Sequence, residues 1–91
     1  MMGWEISELK LAANGRTASA FQFEIAVQNE TQDDGHAISG DGVVFHDGRV
    51  WYNREKELKQ IINGTGLDAE GCLSGLSCQI IQHALAEESV A

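Results

Sequence analysis

Proline is absent from the chain, so its turns must be built from glycine, asparagine and aspartate, and no proline-rich spacer divides it. Nor does any apolar run approach the about 20 residues that cross a bilayer as a helix. The first residues, Met1 to Glu8, have no basic cluster and already carry Glu5 and Glu8, which argues against a signal or transit peptide. The expected location is the cytoplasm, with no membrane contact.

Cysteine is scarce as well: Cys72 and Cys78 are the two in the chain. On one continuous helix they would lie about 9 Å apart along the axis and point in different directions, out of disulfide reach. They read as reduced, partly buried side chains. The three histidines, His36, His46 and His83, are far apart in sequence, and no Cys-x-x-Cys or His-Glu-x-x-His is present. A zinc site with its four converging ligands is not expected, and no cofactor is implied. The glycine-rich stretch Asn63-Gly64-Thr65-Gly66-Leu67-Asp68 lacks the lysine of a phosphate-binding loop. Cys78 and His83 are five apart, so one helix would turn them away from each other, and no nucleophile has an evident base. Catalysis is not expected.

Basic residues are few. Six stand against 14 acids, for a formal net charge of −8, which repels nucleic acid and anionic lipid and argues against direct binding to either. The excess is shared: Met1 to Asn53 holds eight acids and three bases, the remainder six and three.

With 91 residues the chain can form one core and is read as a single acidic domain over 1–91. Phe21, Phe23, Ile25 and Val27 alternate with polar residues and predict a strand with one buried face. Asn14-Gly15 and Asp47-Gly48 suit two-residue hairpin loops. The first would set Glu8 opposite Phe21, Ile6 opposite Phe23 and Trp4 opposite Ile25. Leu9 and Leu11 then have the wrong parity, which a β-bulge near Glu8 or Leu9 would repair; a short helix from Glu5 to Ala13 is the competing reading. The second loop would set Phe45 opposite Val50 and Val43 opposite Tyr52 on one face, leaving Val44, His46, Arg49 and Trp51 on the other.

The intervening stretch, Glu30 to Gly42, is polar and rich in glycine and reads as a surface loop. Asp33, Asp34 and Asp41 give it hard oxygen atoms without the spacing of a calcium loop. Asn53 is expected to cap a helix through Ile62, stopped by Asn63-Gly64. A last helix is expected from Leu73 to Glu88, with Leu73, Leu76, Ile80 and Ala84 along its buried side and fraying near Glu87 and Glu88. The predicted fold is α+β: a four-stranded antiparallel sheet of two hairpins packed by two C-terminal helices, ββββαα.

High charge, small size and missing chemistry together favour a protein-binding module, an adaptor or inhibitor with a basic partner surface. Its candidate contact residues are His46, Arg49 and Trp51 on the second hairpin, because arginine and aromatic side chains suit interface centres, and the acids Asp33, Asp34 and Asp41. Two alternatives remain open: a nucleic-acid mimic of the phage inhibitor type, and a homo-oligomeric structural protein, such as a homodimer joined through sheet edges.

Overall fold

A computed structural model describes the backbone of residues 2–12, 15–29 and 32–90 and the side chains of 3–12, 15–28 and 35–86. The elements are β1 (Met2–Leu11), β2 (Ala18–Asn29), β3 (Gln32–Phe45), β4 (Val50–Tyr52), α1 (Glu55–Gly64) and α2 (Ala69–Val90). The strands form one antiparallel sheet in the order β1-β2-β3-β4, and both helices pack on it. This is the expected ββββαα architecture.

β2 has the alternation read from its sequence. Phe21, Phe23, Ile25 and Val27 are buried and meet Leu58 and Ile62 of α1 and Leu73, Leu76, Ile80 and Ala84 of α2 in one core. Each of these side chains larger than alanine contributes about 1.5–3 kcal/mol of burial free energy. Tyr52 joins them: its ring stands edge-on to Phe21 and Phe23, with centroids 5.7 and 6.0 Å away. Its hydroxyl lies 2.7 Å from Ser77 Oγ and donates to the Leu73 carbonyl at 3.3 Å, tying the last strand to α2. Burial pushes the Tyr52 phenol up to about 12.

Residues 5–11 are strand, not helix. The register differs from the one a two-residue Asn14-Gly15 loop would impose. Leu11 faces Phe21, Leu9 faces Phe23, Ile6 faces Ile25 and Trp4 faces Val27, with a bulge between Ile6 and Glu8. Asn14 lies outside the described residues, and the ladder closes at Ala12, whose N–H donates to the Ala20 carbonyl at 2.8 Å. The longer connection brings Leu9 and Leu11 to the core side. The bulge at Ser7 then reverses the parity, so that Trp4 and Ile6 pack there too.

The largest correction concerns residues 32–42, which are strand rather than loop. Gly40 lies opposite Phe23 and Gly42 opposite Phe21. A Cβ on Gly40 would fall 2.7 Å from Phe23 Cε1, and one on Gly42 would fall 2.8 Å from Phe21 Cζ and onto the Trp51 carbonyl oxygen. These glycines leave room for rings reaching over from β2, a pairing that offsets the weakness of glycine in a strand.

The second hairpin is shifted by one residue. Val44 pairs with Val50, Val43 with Trp51 and Gly42 with Tyr52. The Phe45 N–H donates to the Arg49 carbonyl at 2.8 Å and the Gly48 N–H to the Phe45 carbonyl at 3.0 Å; Gly48 has φ +96° while Asp47 has no positive φ. This is a three-residue loop with glycine in the left-handed position, which a two-residue turn would instead require of both central residues. The shift exchanges faces: Val44 and Tyr52 are buried, while Val43, Phe45 and Trp51 take the side away from the helices.

Helix boundaries also moved. Arg54, at φ 55° and ψ 45°, occupies the cap position of α1 with no side-chain hydrogen bond, and Asn53 instead donates from Nδ2 to Asp41 Oδ1 at 3.4 Å. Gly66, at φ +94°, makes the reversal expected of Gly64. α2 starts at Ala69, before the expected Leu73, because Asp68 Oδ2 accepts the Gly71 N–H at 3.3 Å as an N-cap. Gly75 within it lies under Trp4, where a Cβ would be 3.1 Å from Cζ2. The helix backbone continues past Glu87 and Glu88 to Val90.

Candidate functional site

The helices cover one side of the sheet and leave the other to solvent. Strand alternation puts Glu5, Glu8 and Lys10 of β1, Ala20, Gln22 and Glu24 of β2, Ser39, Asp41, Val43 and Phe45 of β3, and Trp51 of β4 on the open side. Pairing then sorts them into rows.

At one end of this face the row Ala20–Val43–Trp51 runs across three strands, with Phe45 next to it. Trp51 is 53% exposed. The Arg49 guanidinium lies 4.6 Å above the Phe45 ring, and its Nε donates to Asp47 Oδ2 at 2.8 Å. The Arg49 backbone N–H, with the guanidinium beside it, holds the Asp47 carboxyl below its ordinary value. Arginine and tryptophan at the edge of an open apolar patch are the side chains most often found at the centre of protein contacts.

Next along the face come the acids. Glu8 stands directly opposite Glu24, and Ser7 Oγ donates to Glu24 Oε1 at 3.1 Å. With Lys10 and Asp41 these two line a shallow depression of about 370 Å3. Lys10 is the single base on the face among the described residues of these strands, and it is engaged with Glu8 at 2.9 Å. Like charges directly across a ladder repel, and Lys10 on Glu8 and Ser7 on Glu24 offset that repulsion here.

Of the residues expected from the sequence, Trp51 and Asp41 share this face, while His46 and Arg49 belong to the hairpin loop at its end. Asp33 and Asp34 lie on β3, and their side chains are outside the described residues. Asp34 is nine positions from Val43, the partner of Trp51, or roughly 30 Å along the strand; these acids and the tryptophan are therefore not one compact patch. Glu5, Glu8 and Glu24 were not anticipated. Glu5 and Glu8 have opposite parity, and the bulge at Ser7 alone brings both to the same face.

Elsewhere, an apolar notch of about 250 Å3 lies between Val44 and Phe45 of the hairpin and Ile81 and Leu85 of α2. Cys72 is buried and Cys78 exposed, both as free thiols; desolvation, with Asp68 nearby, raises the Cys72 thiol. Among the described residues no three His, Cys, Asp or Glu side chains are gathered as a metal site, and no helix is long and apolar enough to cross a membrane. No protein-family model, curated protein or solved structure matches the chain.

Proposed function

We propose that this chain is a small protein-binding module, an adaptor or inhibitor, that engages a basic partner surface through the solvent face of its sheet and performs no reaction of its own. The observation that carries the reading is Trp51: in a chain with six aromatic side chains, one is left 53% exposed across from Val43 and beside Phe45. Covering its exposed half would remove roughly 130 Å2 from water, about 3 kcal/mol. The acids beyond it supply attraction and orientation toward a cationic surface, acting mainly on the association rate. Two free thiols suit a reducing compartment, and the cytoplasm is the proposed place of action.

The acids Glu5, Glu8, Glu24 and Asp41, spread over neighbouring rows of the open face, favour a second reading, a carboxylate surface that imitates nucleic acid. The apolar end of the face favours a protein contact with a hydrophobic component instead. Affinity capture from the native host with Trp51→Ala and with Glu8→Gln/Glu24→Gln/Asp41→Asn separates them. The module reading predicts that Trp51→Ala weakens capture about 100-fold, while the acid variant slows association and flattens its salt dependence. Loss of capture in the acid variant alone, with a nucleic-acid-binding protein recovered, would support the mimic. Equal capture by all three proteins would sink both readings.

A further inference from the structure

One strand edge of the sheet has no neighbour over most of its length. β3 has 14 residues and pairs with β2 without interruption from Phe45 to His36, but β4 takes up only Gly42, Val43 and Val44 on the other side. The chain leaves that edge because Arg54, two residues beyond the end of β4, adopts a left-handed conformation and turns into α1. The Asn53 N–H donates to the Asp41 carbonyl and the Phe45 N–H to the Arg49 carbonyl, both at 2.8 Å, so the odd-numbered residues of β3 direct their backbone groups this way. Ladder alternation continues the set through Ser39 and Ala37, up to the register shift beyond His36. Among the described residues no strand pairs with them.

The other free edge, β1, is blunted by its bulge at Ser7 and by Lys10. Between His36 and Asp41, β3 pairs with β2 without a bulge and has no lysine or proline; the register shift comes after His36, before Gln32. Beside it lies a groove of about 400 Å3, walled by Leu58 and Ile61 of α1 and carrying Ser39, Asp41, Arg54 and Glu57. Ile61 is 54% exposed there, although its helix uses Leu58 and Ile62 for the core.

We propose that this edge receives an extended, cationic segment of a partner protein as a fifth strand, an extension of the binding role inferred above. Alternate side chains of the segment would be apolar and rest against Leu58 and Ile61. Those between them would be lysine or arginine, on the side of Asp41 and the acids of the open sheet face. Ala37 to Asp41 offers roughly 16 Å of regular edge, enough for a core of about five residues of such a segment. Main-chain pairing supplies affinity in such strand addition, and the alternating side chains supply selectivity. A second copy of this chain is the weaker occupant. It would bring together two chains of net charge −8 each, which repel one another.

The test uses the intact protein labelled with 15N and a blocked peptide, Lys-Val-Lys-Val-Lys-Val-Lys, with a glutamate-for-lysine analogue and a peptide of the same composition in two blocks as controls. Binding of the alternating peptide should move the amide resonances of Ala37 and Ser39 and slow their hydrogen exchange at least tenfold. Both controls should bind at least tenfold more weakly. Ser39→Pro removes a donor that faces the open edge and spares the bonds to β2; Ile61→Asp changes an exposed wall residue and is the variant that leaves folding untouched. Each should weaken the peptide at least tenfold. The inference is overturned by no binding, by equal binding of a control peptide, by shifts confined to Val43 and Trp51, or by a dimer that Ser39→Pro dissolves. Trp51→Ala distinguishes the two proposals. If it abolishes capture of the host partner while Ile61→Asp leaves both peptide and partner binding intact, the edge fails and the sheet face stands. If it leaves capture intact while the edge response persists, the sheet face fails alone.

Discussion

Replacing Gly42 with alanine tests the point at which local sequence and tertiary structure diverge most. In a surface loop the change would be mild, and in an unobstructed strand the methyl group would add about 0.5–1 kcal/mol of stability by limiting the unfolded chain. Here the new Cβ falls onto the Trp51 carbonyl oxygen and 2.8 Å from the Phe21 ring tip. The carbonyl is backbone and cannot rotate away, so β4 must shift from β3 or the Phe21–Tyr52 pair must separate. Overpacking of this kind costs about 1–3 kcal/mol, more than the local gain. A net loss of about 2 kcal/mol would lower the melting temperature by roughly 10 °C in a domain of this size. Gly40→Ala meets the tip of the Phe23 side chain, which can tilt, and should cost about 1 kcal/mol. Gly35→Ala meets nothing closer than the Val27 carbonyl oxygen at 3.8 Å and should be neutral or slightly stabilising. Urea and thermal unfolding of the three variants should therefore rank Gly42→Ala lowest and Gly35→Ala highest. Three equal, small effects would refute the strand and its ring seats together.

Four further outcomes are expected. Arg54→Gly should raise stability by about 1 kcal/mol in chemical denaturation, because the left-handed backbone costs a non-glycine residue about that much. Tyr52 is the single tyrosine, so absorbance near 295 nm reads it directly: it should titrate near pH 12 in the folded protein. The unfolded phenol ionises near 10, so the stability due to burying it neutral is complete below pH 10 and falls as pH rises toward 12; Tyr52→Phe should lack this fall while losing about 1 kcal/mol at neutral pH. Glu24→Gln should stabilise the fold by about 0.5 kcal/mol in urea by relieving its opposition to Glu8, yet weaken partner binding. In native protein a thiol reagent should label Cys78 quickly and Cys72 only on unfolding, as counted by mass spectrometry.

β2 was legible because a two-residue period in Phe21, Phe23, Ile25 and Val27 is a local signal, and the stripe Leu73, Leu76, Ile80 and Ala84 was legible for the same reason. β3 was hidden because Gly40 and Gly42 have the composition of a loop; their role depends on rings 17 and 21 positions earlier in the chain. Asp47-Gly48 announced a hairpin but not its loop length, since a left-handed glycine serves loops of two or three residues alike. That single-residue ambiguity exchanged Val43 with Val44 between the faces. Of the candidate site, Trp51 could be read from its place after the turn. The carboxylates of Glu5, Glu8 and Glu24 could not, because their common side exists only through the bulge at Ser7 and the cross-strand register.

The claim that the open sheet face is the contact surface is tested most directly by a photoreactive benzoylphenylalanine installed in living host cells in place of Gln22 or, separately, of Gln82. Gln22 lies on the open face beside Lys10 and Asp41, and Gln82 is exposed on α2. Irradiation should join a discrete partner polypeptide to the protein through position 22, with none through position 82. Adducts formed through 82 and absent from 22 would contradict the account.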